Sequence, residues 1–241
     1  MKTTLAVNEE FGPTIQGEGR FCGQLAHFVR LSGCNLHCHW CDTPYTWAWN
    51  ERLAKKHKDG KVFALANERR RVTVEDLLVR LPSTDNLIVI TGGEPMLQQG
   101  AVREMCHSLI ITGYRVCIET AGTIAPNNWE GLEYQVRWTV SPKLENSGNE
   151  LQRRFNLEAL QAFNVAYADF KFVVCAVHDL EEIELIQREV GIPNTRMWLM
   201  AEGTSSDRRE VERKLIDIVL AHGWNLSSRK HIELWGDERG R

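Results

Sequence analysis

The sequence predicts an α/β fold on a largely parallel, open sheet, in the form of a partial β/α barrel. Three observations carry this expectation. Short apolar runs alternate along the chain with stretches of helical periodicity, as they do when strands are joined by crossover helices. Several segments rich in glycine, cysteine or serine begin where an apolar run ends, and parallel α/β sheets and barrels keep their ligands at the carboxyl ends of their strands. At 241 residues the chain is also a little shorter than the roughly 250 residues typical of a full eight-stranded barrel.

The expected strands are residues 27–31, 87–91, 115–119, 136–140, 170–174 and 197–200. Helical periodicity covers residues 74–81, with Thr73 as the cap, and then residues 99–111, 157–163, 180–190 and 207–222. No repeat or low-complexity tract interrupts the alternation, so residues 1–241 read as one domain. Residues 48–71 are the exception, being rich in Lys, Arg and Asn without sustained periodicity. They read as an inserted, charged surface excursion, a solvated loop or short helix.

Composition narrows the function. A formal net charge of -3 argues against a broad nucleic-acid footprint, which needs a surplus of Lys and Arg facing phosphates, and favours a small-molecule partner. No apolar run approaches the roughly 18 to 20 residues of a membrane-spanning helix, and no secretory h-region is evident, so the expected location is the cytoplasm. Seven cysteines, an odd number in a chain of this length, suggest reduced thiols rather than a disulfide framework. Cys22, Cys106, Cys117 and Cys175 sit among apolar neighbours, where cysteine acts as a small hydrophobe.

The other three, Cys34, Cys38 and Cys41, fall within Ser32-Gly33-Cys34-Asn35-Leu36-His37-Cys38-His39-Trp40-Cys41-Asp42-Thr43. A [4Fe-4S] cluster normally takes four thiolates, so a set of three leaves one iron open to a chelating small molecule. The competing reading is a closed zinc site completed by His37 or His39, within a zinc-stabilised binding module. A second segment, 87–95, runs from a buried-strand pattern directly into Gly92-Gly93-Glu94-Pro95, and paired glycines permit unusual backbone angles and close approach to a ligand. Upstream, Phe11-Gly12-Pro13-Thr14-Ile15-Gln16-Gly17-Glu18-Gly19 is too polar and glycine-rich for a core strand and reads as a turn or a substrate clamp. An amide and a carboxylate there suit a guanine-like edge, because the carboxylate accepts from both an N–H and an exocyclic amino group. Arg30 lies on an apolar strand four residues before Cys34, and a buried arginine calls for an anion such as a substrate carboxylate.

The cysteine spacing, the aromatic Trp40 before the third cysteine and the Gly-Gly-Glu segment resemble the radical S-adenosylmethionine (SAM) superfamily. That resemblance implies a cluster held by Cys34, Cys38 and Cys41, and SAM held by Trp40, Cys41, Asp42, Gly92, Gly93, Glu94, Ser141, Pro142 and Lys143. The segments 11–19, 28–43, 91–95, 119–123, 141–143 and 234–236 together resemble the 7-carboxy-7-deazaguanine synthase family, over almost the whole chain. The family likeness implies a lyase of queuosine and other deazapurine biosynthesis. It contracts the ring of 6-carboxy-5,6,7,8-tetrahydropterin to 7-carboxy-7-deazaguanine with loss of ammonia. It further implies substrate contacts at Ile15, Gln16, Gly17, Glu18, Arg30, Thr91 and His231, and Mg2+ on Thr43. An electron donor such as flavodoxin or ferredoxin and a homodimer follow from the same likeness. The long charged segment 47–71, and a tail 237–241 ending in Arg where some members end in Pro, depart from the family pattern. A radical SAM activase of a partner protein has a similar cysteine spacing, but gives no reason for a pterin clamp of Gln16, Glu18 and Arg30.

Overall fold

The computed structural model describes residues 2–82, 87–204 and 208–241. Among them nine strands form one sheet: β1 (Thr4–Ile15), β2 (Leu25–Leu31), β3 (Arg70–Thr73), β4 (Leu87–Gly92), β5 (Arg115–Thr120), β6 (Arg137–Val140), β7 (Asp169–Val174), β8 (Met197–Ala201) and β9 (Asn225–Leu226). Their order is β3-β1-β2-β4-β5-β6-β7-β8-β9. From β2 to β9 every neighbouring pair is parallel, whereas β1 lies antiparallel to both β2 and β3. The two end strands, β3 and β9, do not pair with each other, so the sheet stays open as a partial barrel.

The helices are α1 (Glu51–Ala54), α2 (Leu65–Glu68), α3 (Val74–Arg80), α4 (Gln99–Ile111), α5 (Leu151–Arg154), α6 (Leu157–Val165), α7 (Asp179–Val190), α8 (Arg208–His222) and α9 (Lys230–Trp235). Thr73 caps α3 as expected, its hydroxyl accepting from the Asp76 amide at 3.1 Å. The expected start of the eighth helix at Asp207 lies outside the described residues.

Each inner strand alternates between two environments, as the period of two requires. Val29 and Leu31 of β2, Ile88 and Ile90 of β4, Val116 and Ile118 of β5, and Phe170, Phe172 and Val174 of β7 join the large core with α3, α4, α6, α7 and α8. The alternate residues form a second cluster, Ala26, Phe28, Leu87, Val89 and Cys117. One step nearer the carboxyl ends that second face turns polar. Arg30 pairs in register with Thr91, and Glu119 with Thr139, so a polar row crosses β2, β4, β5 and β6.

Two expectations are corrected. Residues 11–15 belong to β1 although they are too polar for a core strand, because β1 is held by antiparallel ladder bonds and its second half is only partly buried. The pairing has two register irregularities, one between Val7 and Glu9 and one between Phe11 and Thr14 that accommodates the Gly12-Pro13 step. The excursion at 48–71 is likewise more than a solvated loop. It contributes α1, α2 and the first residues of β3, and its Ala48, Ala54 and His57 are buried together with the preceding Trp47.

Candidate functional site

The carboxyl ends of the parallel strands open into a cavity of about 780 Å³. The cysteine loop follows β2, the glycine pair ends β4, Glu119 to Ala121 end β5, Ser141 and Lys143 follow β6, and Lys171 projects from β7. The expected convergence therefore holds for most of the site. Of the residues expected to bind ligands, Ile15, Gln16, Gly17, Glu18, Arg30, Cys34, Cys38, Trp40, Cys41, Asp42, Thr43, Thr91, Gly92, Gly93, Ser141, Lys143 and His231 line this one cavity. Glu94 and Pro142 do not.

Each loop cysteine sulfur meets a protein donor. The Leu36 amide lies 3.4 Å from Cys34 Sγ, Asn149 Nδ2 lies 3.3 Å from Cys38 Sγ and Trp47 Nε1 lies 3.4 Å from Cys41 Sγ. Burial pushes all three thiols up, Cys38 to about 11, which disfavours three thiolates unless a cationic centre compensates. Iron supplies that compensation, and the amide and indole donors suit sulfurs that carry charge. Among the described residues no group of three His, Cys, Asp or Glu side chains is drawn together closely enough to hold a metal ion. Of the two histidines proposed for zinc, His39 has a hydrogen-bond partner, whereas the buried Nδ1 of His37 has none among the described residues. His37 packs on Trp47 with ring centres 5.0 Å apart, and exposed His39 faces the Lys56 carbonyl at 3.4 Å.

The glycine pair, which lines the cavity, also lets the chain approach itself closely. A Cβ on Gly92, whose φ is +115°, would lie 2.3 Å from the Leu31 oxygen, and one on Gly93 would lie 2.0 Å from the Gly33 oxygen. The amides of Gly93 and Glu94 donate to those two carbonyls, at 3.0 and 2.8 Å, which clips the end of β4 to the cysteine loop. Glu94 is fully buried, and its carboxylate accepts from the amides of Met96 and Ala121 and from the Thr120 hydroxyl. Its side chain thus sets the backbone of two site loops. Near the SAM segment expected after β6, Lys143 Nζ bonds Ser141 Oγ at 2.8 Å and lies 5.8 Å from the centre of the Trp40 ring.

At the other end of the cavity, Gln16 Nε2 donates to Glu119 Oε1 at 2.9 Å, and Thr91 Oγ1 donates to Glu119 Oε2 at 2.8 Å. Glu18 is paired with Lys171 and, at 3.0 Å, with Arg229. Burial alone would raise the Glu18 pKa, but these two cations outweigh it and hold the carboxyl well below the usual range. Gly17 leaves room for a protein group, since a Cβ there would lie 2.0 Å from His231 Nδ1. Arg30 also differs from expectation, because its anion is within the chain: Nε donates to Glu9 Oε1 at 2.7 Å, and the guanidinium lies 5.3 Å from the Phe11 ring centre. Among the described residues its terminal amino groups meet no acceptor, and Arg30 lines the cavity.

Glu119, Lys171, Arg229 and Glu9 were missed by sequence reasoning. Lys171 had a signal, a lone charge inside the apolar run Phe170-Lys171-Phe172, and charges in buried strands are rare unless paired. Glu119 stood at a strand's carboxyl end, where the position itself is the signal. Arg229 and Glu9 had none, since their partners are distant in sequence.

Three thiols on one loop at the mouth of a parallel partial barrel, beside a cavity large enough for two small molecules, define a radical SAM enzyme, and the Radical SAM superfamily pattern matches residues 28–215. Within that superfamily, the chain belongs to the 7-carboxy-7-deazaguanine synthase family. It is 31% identical to the 7-carboxy-7-deazaguanine synthase of Pyrobaculum aerophilum, over 96% of both chains. It is also 31% identical to that of Escherichia coli K12, over 93% of this chain and 96% of the relative. The crystal structure of QueE from Escherichia coli superposes with a TM-score of 0.71 at 29% identity, covering 95% of each chain.

Proposed function

We propose that this protein converts 6-carboxy-5,6,7,8-tetrahydropterin to 7-carboxy-7-deazaguanine with loss of ammonia, within queuosine or related deazapurine biosynthesis. The observation that carries the reading is that the cysteine loop and the Gln16, Glu18, Arg30 and Thr91 set line one cavity. Cys34, Cys38 and Cys41 would hold the [4Fe-4S] cluster, which with SAM supplies reductive cleavage to a 5'-deoxyadenosyl radical. Trp40, Asp42, Gly92, Gly93, Ser141 and Lys143 would bind SAM, with Glu94 and Pro142 shaping that backbone. On the substrate side, Ile15, Gln16, Gly17, Glu18, Thr91 and His231 would hold the ring. The free amino groups of Arg30 would hold the carboxylate through a planar fork.

A carboxylate kept ionised by Lys171 and Arg229 suits the amino and N–H edge of a pterin. Burial lowers the His231 pKa, which favours the neutral imidazole with its one donor and one acceptor. Thr43 lines the cavity beside Cys41, where its hydroxyl can serve as one hard-oxygen ligand for Mg2+ while substrate and SAM carboxylates supply others. A single catalytic domain, a homodimer, a cytoplasmic location and a small one-electron protein donor complete the reading. No described helix is long and apolar enough to cross a membrane.

The test is anaerobic incubation of cluster-loaded protein with SAM, dithionite and 6-carboxytetrahydropterin. Appearance of the deazapurine with one ammonia per product supports the reaction. SAM cleavage that leaves the pterin unchanged rejects this substrate.

A further inference from the structure

Val7 of β1 pairs with Leu31 of β2, and the next pair is Glu9 with Arg30, so β1 advances two residues where β2 advances one. Bulges of this kind re-aim side chains and are common beside active sites. In an unbroken ladder Asn8 would stand opposite Arg30, and Glu9 would stand opposite the buried Val29. The extra residue instead sets Glu9 directly across from Arg30. We propose, on the reading that Arg30 binds the substrate carboxylate, that Glu9 is a positioning residue: it holds Arg30 by Nε and leaves both terminal amino groups to the ligand.

Arg30 Nε donates to Glu9 Oε1 at 2.7 Å, and the Tyr45 hydroxyl donates to the same oxygen at 3.3 Å. Glu9 Oε2 accepts from Arg239 Nε at 2.9 Å. Arg239 is fixed in turn, because its guanidinium lies 3.9 Å from the centre of the Tyr45 ring while Nη2 donates to Asn8 Oδ1 at 2.9 Å and to Glu68 Oε2 at 2.8 Å. Both oxygens of Glu9 are therefore engaged, and neither swings across to close the Arg30 fork. A side-on carboxylate would take Nε and a terminal amino group together, whereas a bond to Nε alone spares the two terminal groups for a second carboxylate. The Arg30 guanidinium also lies 5.3 Å from the Phe11 ring centre and 6.0 Å from that of Tyr45. Its placement is thus set before a ligand arrives, and the ligand need not order a free arginine.

Anaerobic calorimetric titration of the cluster-loaded protein with SAM present, using 6-carboxypterin and unsubstituted pterin, tests this. Neither compound carries a hydrogen on a saturated C6, so binding is read without turnover, and the ratio of the two affinities isolates the carboxylate contact. Glu9→Asp keeps the charge but loses the reach, and should lower that ratio about tenfold, the scale of ordering one long side chain on binding. Arg239→Gln, which frees the second oxygen of Glu9, should give a smaller loss in the same direction. Glu9→Gln keeps the reach and an acceptor for Arg30 while turning its amide nitrogen to Arg239, so its loss should be no larger than that of Arg239→Gln. With Arg30→Gln in place, Glu9→Asp should lower the ratio no further. A wild-type ratio in Glu9→Asp, an equal loss of both ligands, or a loss in Glu9→Gln as large as in Glu9→Asp would overturn the proposal. A wild type without preference for 6-carboxypterin, or an Arg30→Gln variant that keeps it, would instead remove the carboxylate reading of Arg30 and the role of Glu9 with it.

Discussion

Arg30, Thr91, Glu119 and Thr139 reach the cavity from four neighbouring strands at matched register positions, the first three one alternation beyond the apolar Phe28, Val89 and Cys117. In residues 48–71 the inward groups follow no period: His57 Nε2 meets the Cys41 carbonyl at 2.8 Å, and Glu68 meets Arg239 from the far end of the chain. The first region is placed by a ladder in which a one-residue slip would turn every side chain to the other face. The second is placed by separate buried contacts, each of which can be lost alone. Mutations on the ladder side should therefore cost more than mutations in the excursion.

The largest stability effect expected is at Lys171, whose ammonium is buried between strands and bonded to Glu18. Lys171→Met should destabilise the fold by about 3 kcal/mol, near the low end for a broken buried pair because Arg229 stays on Glu18. Urea denaturation measures this, and a loss below about 1 kcal/mol would mean that the strand-end network is not coupled. His57→Ala, in the excursion, should cost about 1 to 2 kcal/mol for one hydrogen bond and its packing on Trp47. If His57→Ala proved the costlier of the two, the ranking of the regions would be reversed.

Much of the ladder region was legible because it obeys one rule. The strands at 27–31, 87–91 and 115–119 lie within β2, β4 and β5, and the motifs at their ends meet in one cavity. β1 was missed because Gly12, Pro13 and Thr14 weaken its pattern, and antiparallel pairing near the sheet edge does not require a continuous apolar run. Arg30 calls for an anion that its own strand does not supply. Glu9, on the neighbouring strand, could not be paired with it before β1 was recognised. The links from Arg229 to Glu18 and Asp42 join the end of the chain to its beginning and middle, a juxtaposition that no local pattern encodes.

Smaller effects sharpen the comparison. The folded pKa of Glu18 lies below its unfolded value near 4.5, so its contribution is complete above that pH and is lost as the pH falls through the acid range. The thermal midpoint of the wild type should therefore fall more steeply between about pH 5 and pH 3 than that of Glu18→Gln. Parallel curves would show that the Lys171 and Arg229 pairing adds no pH-dependent stability. The smallest change is Thr43→Val, which keeps the shape and removes the hydroxyl. Turnover plotted against Mg2+ should shift to higher metal concentration with cluster content unchanged, and superimposable curves would reduce Thr43 to a turn residue.

The central claim is that the three loop cysteines, and not the buried ones, hold a four-iron cluster. Iron and sulfide counted after anaerobic reconstitution, with the visible absorption spectrum, tests it in the wild type and in Cys34→Ala, Cys38→Ala, Cys41→Ala and Cys106→Ala. The account predicts about four irons per chain and a brown protein for the wild type and Cys106→Ala, with loss of the cluster in each loop variant. A colourless wild type holding one zinc, or loop variants that keep their full iron, would contradict it.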